Sequence, residues 1–222
     1  MTTLDRSPVR APFVPPTRAT IAGLVRLLTV AAVAGVALGA GDLWVMMHVH
    51  HDWAFLANSS AVWAAGPFLL GAGLRTDPAR SAIAGVVMLL VAVEAYYGYA
   101  GVLGMADRTT LYSQNTRMWL TFGVVAGVVF GVAGSWTSGR VWWQRVLGAA
   151  TGSGVLVGEA LHLMAHPSGS AWPHLAGWMG AAGIAVLVLS ARSPRVLVPA
   201  ALLLGPMAVF SAAGFSAVGI GY

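Results

Sequence analysis

The chain has 222 residues, of which 58% are hydrophobic and only 9% charged, with a formal net charge of +5 and no cysteine. Soluble domains carry roughly 25% charged residues, so most of this surface is excluded from facing water and must meet lipid or other helices. The lack of cysteine excludes disulfides, thiolate metal sites and a cysteine nucleophile. Nucleic acid is excluded as the reason for the positive charge, because the arginines are spread in pairs between apolar runs instead of forming one basic face. The length suits one domain. Arginine in place of lysine, with abundant Ala, Val and Gly, suggests a high-GC bacterial genome.

Residues 1–20 hold Pro8, Pro12, Pro15 and Pro16 among Arg6, Arg10 and Arg18. Such a stretch buries little and breaks helices, so it reads as a disordered, basic cytoplasmic tail. Residues 21–222 read as an all-α domain, a polytopic transmembrane helix bundle of about seven helices in the plasma membrane. Spans are expected near Leu24–Met47, Asn58–Leu74, Ser81–Leu103, Met118–Trp136, Val141–Met164, His174–Ser190 and Val196–Val218, since about 20 apolar residues cross the hydrocarbon. The second and sixth are short.

With the N-terminus in the cytoplasm and the C-terminus outside, the inner segments hold ten arginines, from Arg6 to Arg195, and the outer loops only Arg108 and Arg117. This is the asymmetry of the positive-inside rule. Trp44, Trp53, Trp119, Trp136, Trp142, Trp143 and Trp172 fall near span ends, as interfacial anchors do. The run ending Ala37-Leu38-Gly39-Ala40 after a basic leader also resembles a signal peptide; its cleavage would leave six helices.

Acids within apolar spans are the informative feature, because a carboxylate in hydrocarbon must be neutralised, paired or turned to a polar cavity. Glu94 follows Arg80, and Glu159 follows Arg145, by fourteen residues each, a rise of roughly 21 Å. Asp42 lies at a similar height above Arg26, so the three carboxylates are expected in one layer of the outer half. They are the candidate ligand or proton groups. All six histidines belong to that side: His48, His50 and His51 after the first span, His162 and His166 at the end of the fifth, His174 at the start of the sixth.

Glu159, His162 and His166 share a helix face, and Glu-x-x-His is a spacing that presents two metal ligands from one helix. With His48, His50 and His51 they form a candidate metal site for zinc, iron or manganese. A structural polar network through Glu94 and Glu159 explains the same residues without a metal. Tyr96, Tyr97 and Tyr99 fit an aromatic belt or a pocket beside Glu94. Asn58, Ser59 and Ser60 fit helix N-capping or a hydroxyl nucleophile. Gly123, Gly127 and Gly131 mark close helix packing, and Pro199 and Pro206 predict kinks. A weak repeat pairs Asn58, Trp63 and Glu94-Ala95 with Asn115, Trp119 and Glu159-Ala160, and a third hairpin carries Trp178 and Arg192/Arg195.

At Asn58-Ser59-Ser60 with Trp63, Glu94-Ala95-Tyr96-Tyr97 and Gly158-Glu159-Ala160, the chain resembles an uncharacterised family of small multi-pass membrane proteins of high-GC Gram-positive bacteria. That resemblance implies about seven helices in a plasma membrane and no catalytic residue. A second likeness is one of ingredients only: His162-x-x-x-His166, Ser59 or Ser60 and Asp42 match the inventory of seven-helix metal-dependent membrane hydrolases, in a different order. The leading reading is non-enzymatic, a lipid-embedded protein that binds or moves a small polar solute, a proton or a metal ion in an outward-facing cavity. The alternatives are a metal-dependent hydrolase acting at the outer leaflet and a structural or partner-binding subunit.

The orientation is directly testable because the chain has no native cysteine. A single cysteine replacing Arg75 is expected to resist a membrane-impermeant maleimide in intact cells, and one replacing Arg108 to be labelled. The reverse pattern would invert the topology.

Overall fold

The computed structural model describes residues 18–49, 53, 55–166 and 172–217. The basic tail expected at 1–20 therefore lies almost wholly outside the described residues, as do His50 and His51. Among the described residues the chain is all-helical. Its seven α-helices are α1 (Arg18–His48), α2 (Ser60–Leu74), α3 (Pro78–Val102), α4 (Gln114–Thr137), α5 (Trp142–Ala165), α6 (Trp172–Ala191) and α7 (Pro194–Ala217), with 3₁₀ turns at Phe55–Asn58 and Arg108–Tyr112. Each coincides with an apolar stretch expected from the sequence. Six are long and apolar enough to cross a membrane, and α2, at 15 residues, is the short one. The chain is thus a multi-pass membrane protein by the length and composition of its helices.

The helix ends follow local chemistry. Ser59 and Ser113 cap α2 and α4 by accepting the backbone N–H groups of Val62 and Thr116. Asp77 caps α3 ahead of Pro78, accepting the Arg80 N–H at 3.0 Å. That backbone bond holds the Asp77 carboxyl below its ordinary pKa. The turns after α2 and α6 share one solution: Arg75 and Arg192 take left-handed φ values of 48° and 51°, and Pro78 and Pro194 open the next helix. Pro suits a first turn, whose N–H groups have no partner within the helix. Pro199 and Pro206 lie inside one unbroken α7.

The bundle is organised around α5. In its most apolar stretch 78% of residues are buried, against 17% in α1 and in α7. Helices α2, α4, α6 and α7 all touch it, while α3 lies between α1 and α4. Glycines make this crowding feasible, because helices in lipid associate by close van der Waals approach. On α5, Gly148 lies against Ala133 of α4, Gly152 against the Phe68 ring of α2, and Gly158 against Ser211 and Ala208 of α7. Ser153 adds a hydrogen bond to the Gly183 carbonyl of α6 at 2.7 Å. At the arginine-rich end, the Arg145 guanidinium donates to the Ala191 carbonyl at 3.1 Å, where a cation complements the end of α6.

The Gly123–Gly127–Gly131 stripe of α4 faces α3 as expected. A Cβ on Gly127 would stand 2.5 Å from the Val86 nitrogen, and one on Gly131 would strike the Ser81 carbonyl. Only backbone movement could make that room. Gly127→Leu is therefore expected to cost about 1–3 kcal/mol by overpacking, read as a lower thermal midpoint in detergent. Gly73→Ala on α2, where nothing lies near the added atom, is the neutral control.

Candidate functional site

The end of the bundle that carries the histidines holds two buried acids in different circumstances. Glu159, on the central helix, is wholly buried. Its Oε2 accepts the Ser59 hydroxyl at 2.9 Å and the Ala61 backbone N–H at 2.6 Å. Both donors belong to the first turn of α2. The first N–H groups of any helix lack partners within it, and the start of α2 is enclosed by protein, with Ser59 and Ala61 wholly buried. A carboxylate from the neighbouring helix supplies the acceptor, in the place where the helix dipole favours negative charge.

Ser59 is engaged twice. Its hydroxyl donates to Glu159, and its oxygen accepts the Val62 N–H at 3.1 Å. This is the capping role expected for the Asn58-Ser59-Ser60 stretch. It leaves the hydroxyl occupied as a structural link between α2 and α5, so nothing here favours it as a nucleophile.

Asp42 lies on α1 and is 6% exposed. Its Oδ2 is fully buried and has no hydrogen-bond partner. The position follows from a small-residue ladder: Gly35 lies against the Met88 carbonyl of α3 and Gly39 against that of Ala92. One turn further along these parallel helices the ladder brings Asp42 and Met46 towards Tyr96. The Tyr96 hydroxyl donates to the Met46 sulfur at 3.8 Å and stands within electrostatic reach of Asp42. The Trp63 indole of α2 reaches the Asp42 carboxyl as a hydrogen-bond donor, its Nε1 also 3.4 Å from the Ala57 carbonyl. The Trp63 and Tyr96 rings meet edge to face with centroids 6.4 Å apart, and Tyr97 meets Tyr96 at 5.3 Å.

Asp42 and Glu159 therefore flank the first turns of α2, Asp42 through Trp63 and Glu159 through Ser59 and Ala61. Glu94 does not join them. Its side chain is exposed, while Ala92 and Val93 are buried and Tyr96 half-buried. Height along a helix fixes the layer, but two residues are about 200° of rotation. When Ala92 and Tyr96 face α1, Glu94 is turned away. Of the three tyrosines, Tyr96 accordingly stands beside Asp42.

The histidines are divided as well. His162 is buried on α5, its ring 4.6 Å from that of His166. His166 is exposed and its Nδ1 lies 3.1 Å from the His162 carbonyl. His48 is exposed, stacked on Trp44 at 4.7 Å, with its Nδ1 2.8 Å from the Trp44 carbonyl. His174 is exposed at the start of α6. Among the described residues no three His, Asp or Glu side chains converge on one point. Sequence reasoning did not single out the Trp63–Asp42 pairing, although Trp63 stands four residues after the Ser59 cap and so on the same face of the first turns.

A family model matches residues 18–220, nearly the whole chain. The chain belongs to the family of unknown function DUF6518. The family's description supplies no activity, in keeping with the uncharacterised membrane family expected from the sequence. Comparison with curated proteins and with solved structures finds no match.

The Glu159 link carries a stability prediction. Glu159→Ala leaves the Ser59 hydroxyl and Ala61 N–H without their acceptor, at an expected cost of about 1–3 kcal/mol. Glu159→Gln keeps an acceptor oxygen and is expected to retain most of that stability. Glu94→Gln, on an exposed face, is expected to melt with the wild type. Circular-dichroism melts in detergent check the order; equal melts for Glu159→Ala and Glu94→Gln would contradict it.

Proposed function

We propose that this protein binds a proton, exchangeable for a small cation, at Asp42 in a polar and aromatic pocket at the histidine end of the bundle. The reading is non-enzymatic. It places the protein in a bacterial plasma membrane with the N-terminus in the cytoplasm, supported by the arginine distribution, so that the pocket opens towards the outer face.

The observation that carries it is the buried, unpartnered Oδ2 of Asp42. A lone carboxylate charge out of water is costly unless something compensates it. The groups beside it on α2 and α3 are Trp63 and Tyr96, and neither is a cation. Compensation falls to a proton or to a bound positive ion, which is how ionisable residues in membrane spans serve ion and proton pathways. Glu159 is already committed to α2 and holds the pocket's wall. Trp63, Tyr96 and Tyr97 are half-buried, so the surface of the bundle is one side chain away from Asp42.

The test is Asp42→Asn, an isosteric change. Infrared difference spectra of the wild type are expected to show a carboxylic-acid carbonyl band that rises and falls with pH, and that is missing from the variant. The variant is expected to insert and to melt close to the wild type, since the lost oxygen makes no bond. A titrating band that survives in Asp42→Asn, or a variant that no longer folds, would reject the reading.

A further inference from the structure

The arginine-rich end is charged unevenly. The sequence holds no Asp or Glu between Asp107 and Glu159 and none after Glu159, and Glu159 is committed to the start of α2 at the opposite end. Arg145, Arg192 and Arg195 therefore have no acid in their part of the chain. At the α2–α3 turn, by contrast, Arg80 pairs with Asp77 at 3.3 Å. The three arginines come to one corner because the residues beside them pack together. Val146 of α5, Ala191 of α6 and Val196 of α7 are buried in one apolar cluster, each next in sequence to one of the three. Arg145 is half-buried and uses one of its five N–H donors on the Ala191 carbonyl at 3.1 Å. Arg192 and Arg195 are exposed. Next to this corner the surface turns apolar. Arg195, Val198 and Leu202 share one face of α7, where Val198 and Leu202 are exposed, Leu202 at 75%. On α6, Val188 and Leu189 are exposed about one turn before Arg192. Trp142, in the first turn of α5, is exposed as well, as indoles at headgroup level are.

We propose that the corner formed by Arg145, Arg192 and Arg195 is a binding site for an anionic phospholipid of the adjoining leaflet. Guanidinium forks match phosphate oxygens in charge and geometry, and the acyl chains lie along exposed Val198 and Leu202. Basic clusters between membrane helices recognise anionic headgroups in this way. A zwitterionic headgroup gains less, because its ammonium meets no carboxylate in this part of the chain. A soluble anion would engage the arginines but make no use of the apolar face beside them. The site is separate from Asp42, which lies at the histidine end, and does not rest on the proton reading.

The experiment uses the lack of native cysteine. A fluorophore on Val198→Cys, one turn from Arg195, is compared with one on Ile83→Cys, which is exposed one turn from Arg80. The full chains are reconstituted in phosphatidylcholine vesicles, and quenching by doxyl-labelled phosphatidylglycerol or doxyl-labelled phosphatidylcholine is titrated. Phosphatidylglycerol is expected to associate more strongly than phosphatidylcholine at Val198, and the two to associate equally at Ile83. Arg192→Gln/Arg195→Gln is expected to lower the relative association constant of phosphatidylglycerol at Val198 about tenfold. The single Arg195→Gln is expected to act in the same direction with a smaller drop. Arg75→Gln/Arg80→Gln, which removes the same charge from the same end, is expected to leave the preference intact. Arg145 is kept throughout, because it also holds the end of α6, and circular dichroism confirms that each variant is folded. Equal association of the two lipids at Val198, the same preference at Ile83, or equal loss in the two double variants overturns the site and leaves the arginines a diffuse surface charge.

Discussion

The bond from Glu159 to the start of α2 is the constraint on which the rest of this end of the molecule depends. A helix of 15 residues rises about 22 Å, and its start lies where water does not reach, since Ser59 and Ala61 are wholly buried in the bundle. Unpaired backbone N–H groups there are costly. The chain meets that cost with a carboxylate on its most enclosed helix, aimed at the Ala61 N–H and the Ser59 hydroxyl. The acid and the helix start each remove the other's burden: the dipole and donors compensate the charge, and the charge satisfies the donors. Once α2 is held at that depth, its next turn carries Trp63 to Asp42.

The two buried acids therefore differ because of what faces them, not because of how deep they lie. Glu159 meets a helix N-terminus and becomes part of the scaffold. Asp42 meets two aromatic rings and retains an oxygen with nothing attached to it. The glycines explain why that difference is stable. Gly35 and Gly39 bring α1 against the α3 backbone, and such contacts leave little slack for Asp42 to swing towards water. A buried group held by close backbone packing on one side and ring contacts on the other is preorganised, so binding there orders little that was free beforehand.

Much of this architecture was legible in the sequence because it depends on local or one-dimensional properties. Apolar run length gave all seven helices, Ser59 in front of a span gave its cap, and the glycine spacing on α4 gave a crossing with another helix. What could not be read was azimuth and partnership. Equal spacing from Arg80 and Arg145 puts Glu94 and Glu159 at similar heights, yet Glu94 is exposed and Glu159 wholly buried, because helix rotation is set by which small residues touch which neighbour. The pairing of Glu159 with α2 joins residues about a hundred positions apart, and nothing local records it. The described histidines share one end of the bundle but not a meeting point: His48 stacks on Trp44 of its own helix, while His162 and His166 meet at the end of α5.

The internal likeness between hairpins changes its meaning in this light. Read from the acids, the repeat would make Glu94 and Glu159 equivalents, and the fold gives them opposite environments. Read from the turns, it is better grounded. The α2–α3 and α6–α7 connections both end a helix on an arginine in the left-handed region and reopen on proline. Left-handed non-glycine residues are uncommon, so the shared choice is informative. Both turns put a positive charge at a helix C-terminus, where the dipole favours it. The common element is thus a way of turning the chain at the arginine-rich end. The opposite end, freed from that requirement, is where the hairpins diverge and where the molecule has room for a site of its own.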